Sequence, residues 1–325
     1  MQHSKPVDGF RIAYERTGSG PPVVLLHGWP GHHRDFRAVL PLLLEHADVV
    51  AVDLRGFGES DKYPEPPADA YSAAAQARSV VGLIEELGLR DPVIAGYDVG
   101  SRVTQAIAQT WPDLPRGIVI SPPVPGAGER VLTAEAQREF WYQAFHQLDL
   151  VEKIIDGDRA TIRAYLGHFW SHWSGPSFEL RESDLDALAD LYSPPGAFTA
   201  SVAWYRAGSG TVARSLAEAS LPSGDPIGTH TTILWPECDP LFPTEWSDRV
   251  ETYFGNATVI ALADVGHFVP LEAPDDLASA IRSTFAEPPT RARSRSRVAN
   301  SANAQPPSTT PVRTPQQHAV RTHMR

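Results

Sequence analysis

Apolar and polar positions follow two rhythms in the first third of the chain. Phe10 to Thr17 alternates with period two, as a half-buried strand does, and a Gly-Ser-Gly-Pro-Pro turn follows it. Pro22 to Gly28 is a continuous apolar run, the pattern of a strand buried on both faces. Asp35 to Leu44 predicts a helix, and Ala47 to Gly56 the next buried strand. Tyr71 to Leu87 is alanine-rich with helical spacing. Pro92 to Asp98 then reads as strand, Val99 to Pro112 as helix and Arg116 to Ser121 as strand. Strands and helices exchanging at this pace imply parallel βαβ units with right-handed crossovers.

The texture changes after Gly128. Residues 129–217 carry aromatic-rich helical patterns and no buried-strand run. The strand rhythm returns at Thr229 to Pro236 and at Ala257 to Ala263, and Asp275 to Ala286 closes as a helix. One parallel sheet, interrupted by a helical insertion of roughly ninety residues, accounts for this order. The expected divisions are 1–126 and 218–286 for the two parts of the sheet layer, 127–217 for the insertion and 287–325 for a tail. That tail is rich in Pro, Ser, Thr and Arg, with seven arginines and one acid, and too poor in apolar residues to offset chain entropy. It is expected to be a disordered, solvated basic extension.

Composition narrows the class. Hydrophobic residues make up 42% of 325, with eight tryptophans, enough for a real core. The net charge of −11 argues against nucleic acid or an anionic membrane as partner of the folded part. The lone Cys238 rules out an internal disulfide and fits a reducing compartment. No apolar run approaches the ~20 residues of a membrane span, and Met1 to Phe10 lacks a signal-peptide core. The expectation is a cytoplasmic protein, monomeric or homodimeric, without cofactor or metal.

Chemistry concentrates in "VIAGYDVGSR", residues 93 to 102. Gly96 and Gly100 flank a tight strand-to-helix turn with Asp98 at its tip, where a hydrolase elbow would carry serine. By itself Asp98 reads equally well as a helix cap. Three further features bear on the choice. "LLHGWPG" ends an earlier strand in a Gly-Pro turn, which would set the Trp29 N–H opposite the elbow, with the Val99 N–H as a second donor. Asp239 follows one late strand and His267 the last. Nucleophile, acid and base thus occur in order, each where a strand's C-terminal end meets a loop. Asp264 is a rival acid, but it lies too near His267 in sequence to reach its far nitrogen. Ser101 falls inside the helix, which counts against a serine esterase.

With "HGWPG", "DLRGFGESD", "GYDVGSR", "CDP" and "GHFVPLEAP" in place, residues 8 to 286 resemble the α/β-hydrolase superfamily. That implies an α/β core with a mostly parallel central sheet flanked by helices, and a helical cap inserted after the sixth strand. The aspartate at the elbow resembles the branch of soluble epoxide hydrolases, haloalkane dehalogenases and fluoroacetate dehalogenases. The resemblance implies Asp98, Asp239 and His267 as the triad.

A carboxylate, already ionised at neutral pH, displaces a leaving group at saturated carbon and becomes an alkyl ester, which water then cleaves. The leaving group is halide or an opened epoxide oxygen, and the two need different help. Halide wants N–H donors, yet Val99, just after the elbow, has no side-chain donor. An epoxide oxygen needs a proton, which tyrosine supplies while staying neutral at pH 7. Tyr142 in "EFWYQAFHQ" and Tyr205 in "VAWYRAGS" resemble the acid tyrosines of soluble epoxide hydrolase caps. Their alternative is aromatic packing, expected for Tyr165, Phe169, Trp170 and Tyr192. Fluoroacetate dehalogenases carry two arginines around the elbow. Arg102 matches the second, but Val99 replaces the first, and Arg102 is expected to pair with a nearby acid. The expectation is an epoxide hydrolase acting on a small apolar epoxide, with Trp29, Trp141 and Phe268 lining the pocket. A dehalogenase using the same triad is the alternative, and a ligand-binding protein without turnover the non-enzyme one.

Overall fold

The computed structural model describes residues 1–218 and 225–287. Eight strands form one sheet: β1 (Gln2–His3), β2 (Ala13–Gly18), β3 (Pro22–Leu26), β4 (Asp48–Val52), β5 (Val93–Gly96), β6 (Gly117–Ile120), β7 (Thr231–Pro236) and β8 (Ala257–Leu262). Their order is β1-β2-β4-β3-β5-β6-β7-β8. β1–β2 and β2–β4 pair antiparallel, and the other five pairings are parallel. The apolar runs become the central strands because helices cover both faces. Leu25, Leu26, Val50, Ile94, Val119 and Ile233 are fully buried, each contributing ~1.5–3 kcal/mol relative to exposure. The chain goes outward from β3 to β4, then returns to place β5 on the other side of β3. That reversal opens a crevice at the strands' C-terminal ends, where β3 leads into His27 and β5 into Asp98.

The main helices are α1 (Ala73–Glu86), α2 (Val99–Thr110), α3 (Trp141–Phe145), α4 (Arg159–Trp173), α5 (Glu182–Tyr192), α6 (Ala197–Arg206) and α7 (Pro274–Ala286). Ser72 caps α1, its hydroxyl accepting from the Ala75 N–H at 3.3 Å. The helix expected over Asp35 to Leu44 is split into His33–Ala38, in a tighter 3₁₀ form, and Leu40–Leu43. Pro41 explains the break: it has no N–H to donate and is accommodated only in the first turn of the second piece.

Between β6 and β7 the described residues form helices joined by loops, without a strand. This insertion is stitched to the Trp29–Gly31 turn below it. The Trp29 indole donates to Ser201 Oγ at 3.3 Å, and the Trp170 indole to the Pro30 carbonyl at 3.2 Å. Tyr192 Oη accepts from the Gly31 N–H and donates to its carbonyl, both at 3.0 Å. The tail expected over 287–325 lies, from residue 288, outside the described residues. Among the described residues, no helix is long and apolar enough to cross a membrane.

Candidate active site

Asp98 sits between β5 and α2 with φ 48° and ψ −115°. This left-handed backbone costs a non-glycine residue on the order of 1–3 kcal/mol. The surroundings enforce it. A Cβ on Gly100 would lie 2.0 Å from the Leu26 carbonyl oxygen, and one on Gly28 2.7 Å from the Asp98 Cβ. Only glycine lets β3, the elbow and α2 approach so closely. The Asp98 side chain makes no capping hydrogen bond to α2, so the capping role left open by the sequence is not the one it adopts. Its Oδ2 instead accepts the Trp29 N–H at 2.7 Å.

His267 lies past β8 with its backbone N–H held by the Trp173 carbonyl at 2.8 Å. Its Nδ1 meets Asp239 Oδ2 at 2.9 Å, and Asp239 Oδ1 accepts the Leu241 N–H at 2.9 Å. Its Nε2 is buried, has no hydrogen-bond partner among the described residues and stands 4.0 Å from Asp98 Oδ1. Burial by itself would depress the imidazolium, but the charges of Asp239 and Asp98 and the Asp239 hydrogen bond outweigh it, so His267 titrates above 6.5. Burial raises Asp98 above the usual carboxylate range, opposed by His267 and by the Trp29 and Val99 N–H groups. Asp264, the rival acid, is exposed.

A cavity of about 20 Å³ lies beside the elbow, room for about one water. Asp98, Val99, Tyr142 and Tyr205 all border it. The two phenols meet edge to face, with centroids 5.6 Å apart. Burial lifts both well above 10, and the Asp98 charge lifts them further. Both therefore stay protonated across the neutral range.

The pocket walls differ from those expected. Trp141 is 42% exposed and stacks on Phe169 at 5.9 Å, away from the cavity. Successive residues on a helix point about 100° apart, so turning Tyr142 inward turns Trp141 outward. Phe268 is fully buried but stacks flat on Trp170 at 3.9 Å, and it does not border the cavity. The Trp29 indole lies behind Tyr142, parallel to it at 5.8 Å, so Trp29 reaches the site through its backbone. The walls come instead from Arg102, Val131, Phe140, Gln143, Trp204 and Phe242. Sequence periodicity carries no sign of which inward faces meet a void. Arg102 pairs with Glu218 through both terminal nitrogens, at 3.2 and 3.0 Å.

Among the described residues, one group has metal-ligand chemistry: His32, His33 and Asp53, with candidate atoms within 4.8 Å of one another. Asp53 is already engaged there. Its Oδ1 accepts from the His33 N–H and ring, and its Oδ2 from the Glu59 N–H. These bonds account for its charge without an ion.

A family model of the alpha/beta hydrolase fold matches residues 21–274. The chain is 29% identical over 280 residues to a soluble epoxide hydrolase of Corynebacterium sp. (strain C12), covering 84% of this chain and 92% of the relative. It is 28% identical over 286 residues to a fluoroacetate dehalogenase of Burkholderia sp, covering 83% and 88%. Among solved structures, the epoxide hydrolase CorEH without ligand aligns with a TM-score of 0.72 at 25% identity, over 88% of this chain and 98% of that one. A Bacillus megaterium epoxide hydrolase in complex with an inhibitor aligns at 0.75 and 20% identity, over 88% and 100%, a likeness of fold. By its sheet order, its elbow and the family match, the chain belongs to the alpha/beta hydrolase fold family.

Proposed function

We propose that this protein is an epoxide hydrolase that opens its substrate through an ester on Asp98. The observation that carries the reading is the cavity bordered at once by the Asp98 carboxylate and the Tyr142 and Tyr205 phenols. Oδ2 is held by the Trp29 N–H, which leaves Oδ1 as the attacking oxygen. Oδ1 bonds to an epoxide carbon as the ring C–O bond breaks. The electron pair goes to the departing oxygen, which takes a proton from a phenol.

Water then attacks the ester's carboxyl carbon. His267 Nε2, unpartnered and 4.0 Å from Oδ1, accepts that water's proton, while Asp239 orients the ring and stabilises the imidazolium. The Trp29 and Val99 N–H groups hold the oxyanion. Collapse expels the second oxygen as an alkoxide, which takes the water's remaining proton from the Asp98 carboxyl to complete the diol and restore the carboxylate, and the proton on His267 returns through solvent to the phenolate. Esterification also tunes the base. It removes the Asp98 charge that raises His267, so His267 titrates lower in the intermediate than in the free enzyme and is more fully neutral when needed.

Residues 127–217 act as the cap that supplies the phenols. The reading favours epoxide over haloacid because Glu218 occupies the Arg102 guanidinium and Val99 offers no second cation. The test is a substrate panel. Styrene oxide is expected to yield its diol, with no halide released from haloalkanes or fluoroacetate. Halide release without diol formation would overturn the reading.

A further inference from the structure

The Trp29 N–H is the oxyanion donor that has to be brought in from outside the elbow. The stem of its turn is tied to the elbow by backbone bonds. The Tyr97 N–H donates to the Leu26 carbonyl at 3.3 Å, and the Gly100 N–H to the His27 carbonyl at 2.9 Å. The tip beyond Trp29 is held by side chains. On the insertion side these are Trp170 and Tyr192. On the sheet side it is Asp35, whose Oδ2 accepts the His32 N–H at 3.1 Å and the Tyr97 hydroxyl at 2.6 Å. Tyr97 directly precedes Asp98. One carboxylate oxygen therefore joins the far end of the oxyanion turn to the nucleophile's neighbour.

The bridge is buried and close. A Cβ on Gly31 would lie 2.0 Å from Asp35 Oδ2 and 2.8 Å from the Tyr97 oxygen, so the pair fills the space directly beneath the turn. Burial and the Asp35 charge keep the Tyr97 phenol protonated across the neutral range, and it stays a donor there. Neither side chain borders the cavity, so any effect on the reaction runs through the Trp29 N–H.

That N–H faces a changing partner. In the free enzyme it is drawn to the charged Asp98 Oδ2 at 2.7 Å. Esterification removes the charge, and a hydrogen bond to a neutral acceptor is roughly half as strong. The direct tie between turn and elbow is thus weakest in the intermediate, just before the N–H has to meet an oxyanion. The bridge through Asp35 does not involve Asp98 and keeps its strength throughout.

We propose that Tyr97 and Asp35 are positioning residues for ester hydrolysis: the Tyr97 hydroxyl, Asp35 Oδ2 and the His32 N–H together hold the Trp29 N–H over the ester while Asp98 carries no charge. The inference rests on the epoxide hydrolase reading and assigns these residues to its second step. Ester formation does not depend on the bridge, because the charged carboxylate then holds the turn itself.

The test is rapid-quench mass spectrometry with styrene oxide, which reads formation and decay of the Asp98 ester separately. Tyr97→Phe keeps the ring and removes the hydroxyl. It should slow ester decay roughly tenfold while leaving formation within about twofold, so that ester accumulates at steady state. Asp35→Ala cuts the bridge from its other end and should give the same split. The double variant should decay no more slowly than the slower single one, because groups in one chain of bonds do not contribute additively. Asp35→Asn keeps an acceptor for both donors and should restore most of the decay rate lost in Asp35→Ala. A merely structural role would lower formation and decay together. That result, decay at the unmodified rate in Tyr97→Phe, or additive losses in the double variant would overturn this inference and leave the reaction class intact. No diol from the unmodified protein and no ester even in His267→Gln would instead overturn the epoxide hydrolase reading, and this inference with it.

Discussion

At the scale of single residues, the site separates charge by environment. Burial raises the Asp98 carboxyl, opposed by the His267 charge and by the Trp29 and Val99 N–H groups, while nothing comparable offsets the burial that keeps the phenols neutral. The two roles need opposite proton affinities, and a buried cavity whose N–H donors serve only the carboxylate separates them. Replacing Tyr142 or Tyr205 with Phe removes one acid and should lower kcat/KM on an epoxide by roughly 10²–10⁴-fold in the double variant, with folding intact by circular dichroism. The pH profile follows from the directions of the shifts. Ester hydrolysis needs neutral His267, whose titration esterification lowers from its raised position in the free enzyme, so the rate of ester decay should rise with pH as the imidazolium of the intermediate loses its proton and then level off. The phenols titrate well above 10, so no descending limb is expected below pH 9. A profile falling between pH 7 and 9 in stopped-flow or product assays would contradict these assignments.

At the scale of elements, the close approach of β3, the elbow and α2 is the structural requirement for the reaction. Gly100→Ala drives a methyl group into the Leu26 carbonyl, and we expect a loss on the order of 3 kcal/mol. For a domain of this size that lowers Tm by roughly 6–12 °C in a thermal melt. Gly228→Ala meets nothing within 4 Å and has no left-handed backbone, so its Tm should match the unmodified protein. The strands and the elbow were legible in the sequence because they are local: an apolar run flanked by glycines has one comfortable arrangement. The cavity walls were not. Trp141 and Tyr142 are adjacent in a short helix, and which of them faces inward depends on how α3 packs against α4. Phe268 follows His267 directly, yet the ring is captured by Trp170 from the insertion. Contacts between elements far apart in sequence decide such positions, and no periodicity encodes them. The Arg102–Glu218 pair was half legible, since an acid partner was expected but its place just past the insertion was not.

At the scale of the whole molecule, buried polar groups under the site link stability to pH. Asp35 Oδ2 accepts from Tyr97 Oη at 2.6 Å and from the His32 N–H at 3.1 Å, tying the Trp29–Gly31 turn to the elbow. Burial pushes this carboxyl up to about 7 despite those bonds. The folded state therefore holds the Asp35 proton more tightly than the unfolded chain does. Its contribution is complete below pH 3.8 and is lost as pH rises toward 7. Asp35→Asn, which keeps an acceptor and cannot ionise, should flatten the fall in Tm between pH 5 and 8, and an unchanged slope would exclude Asp35 as its source. The account as a whole depends on a covalent bond between substrate and Asp98. The most direct measurement is intact and peptide mass spectrometry of His267→Gln after incubation with styrene oxide, since this variant can form the ester but lacks the base to cleave it. We predict one added mass equal to that of the whole epoxide, on the peptide containing Asp98. No adduct, or an adduct that survives Asp98→Asn, would contradict the account.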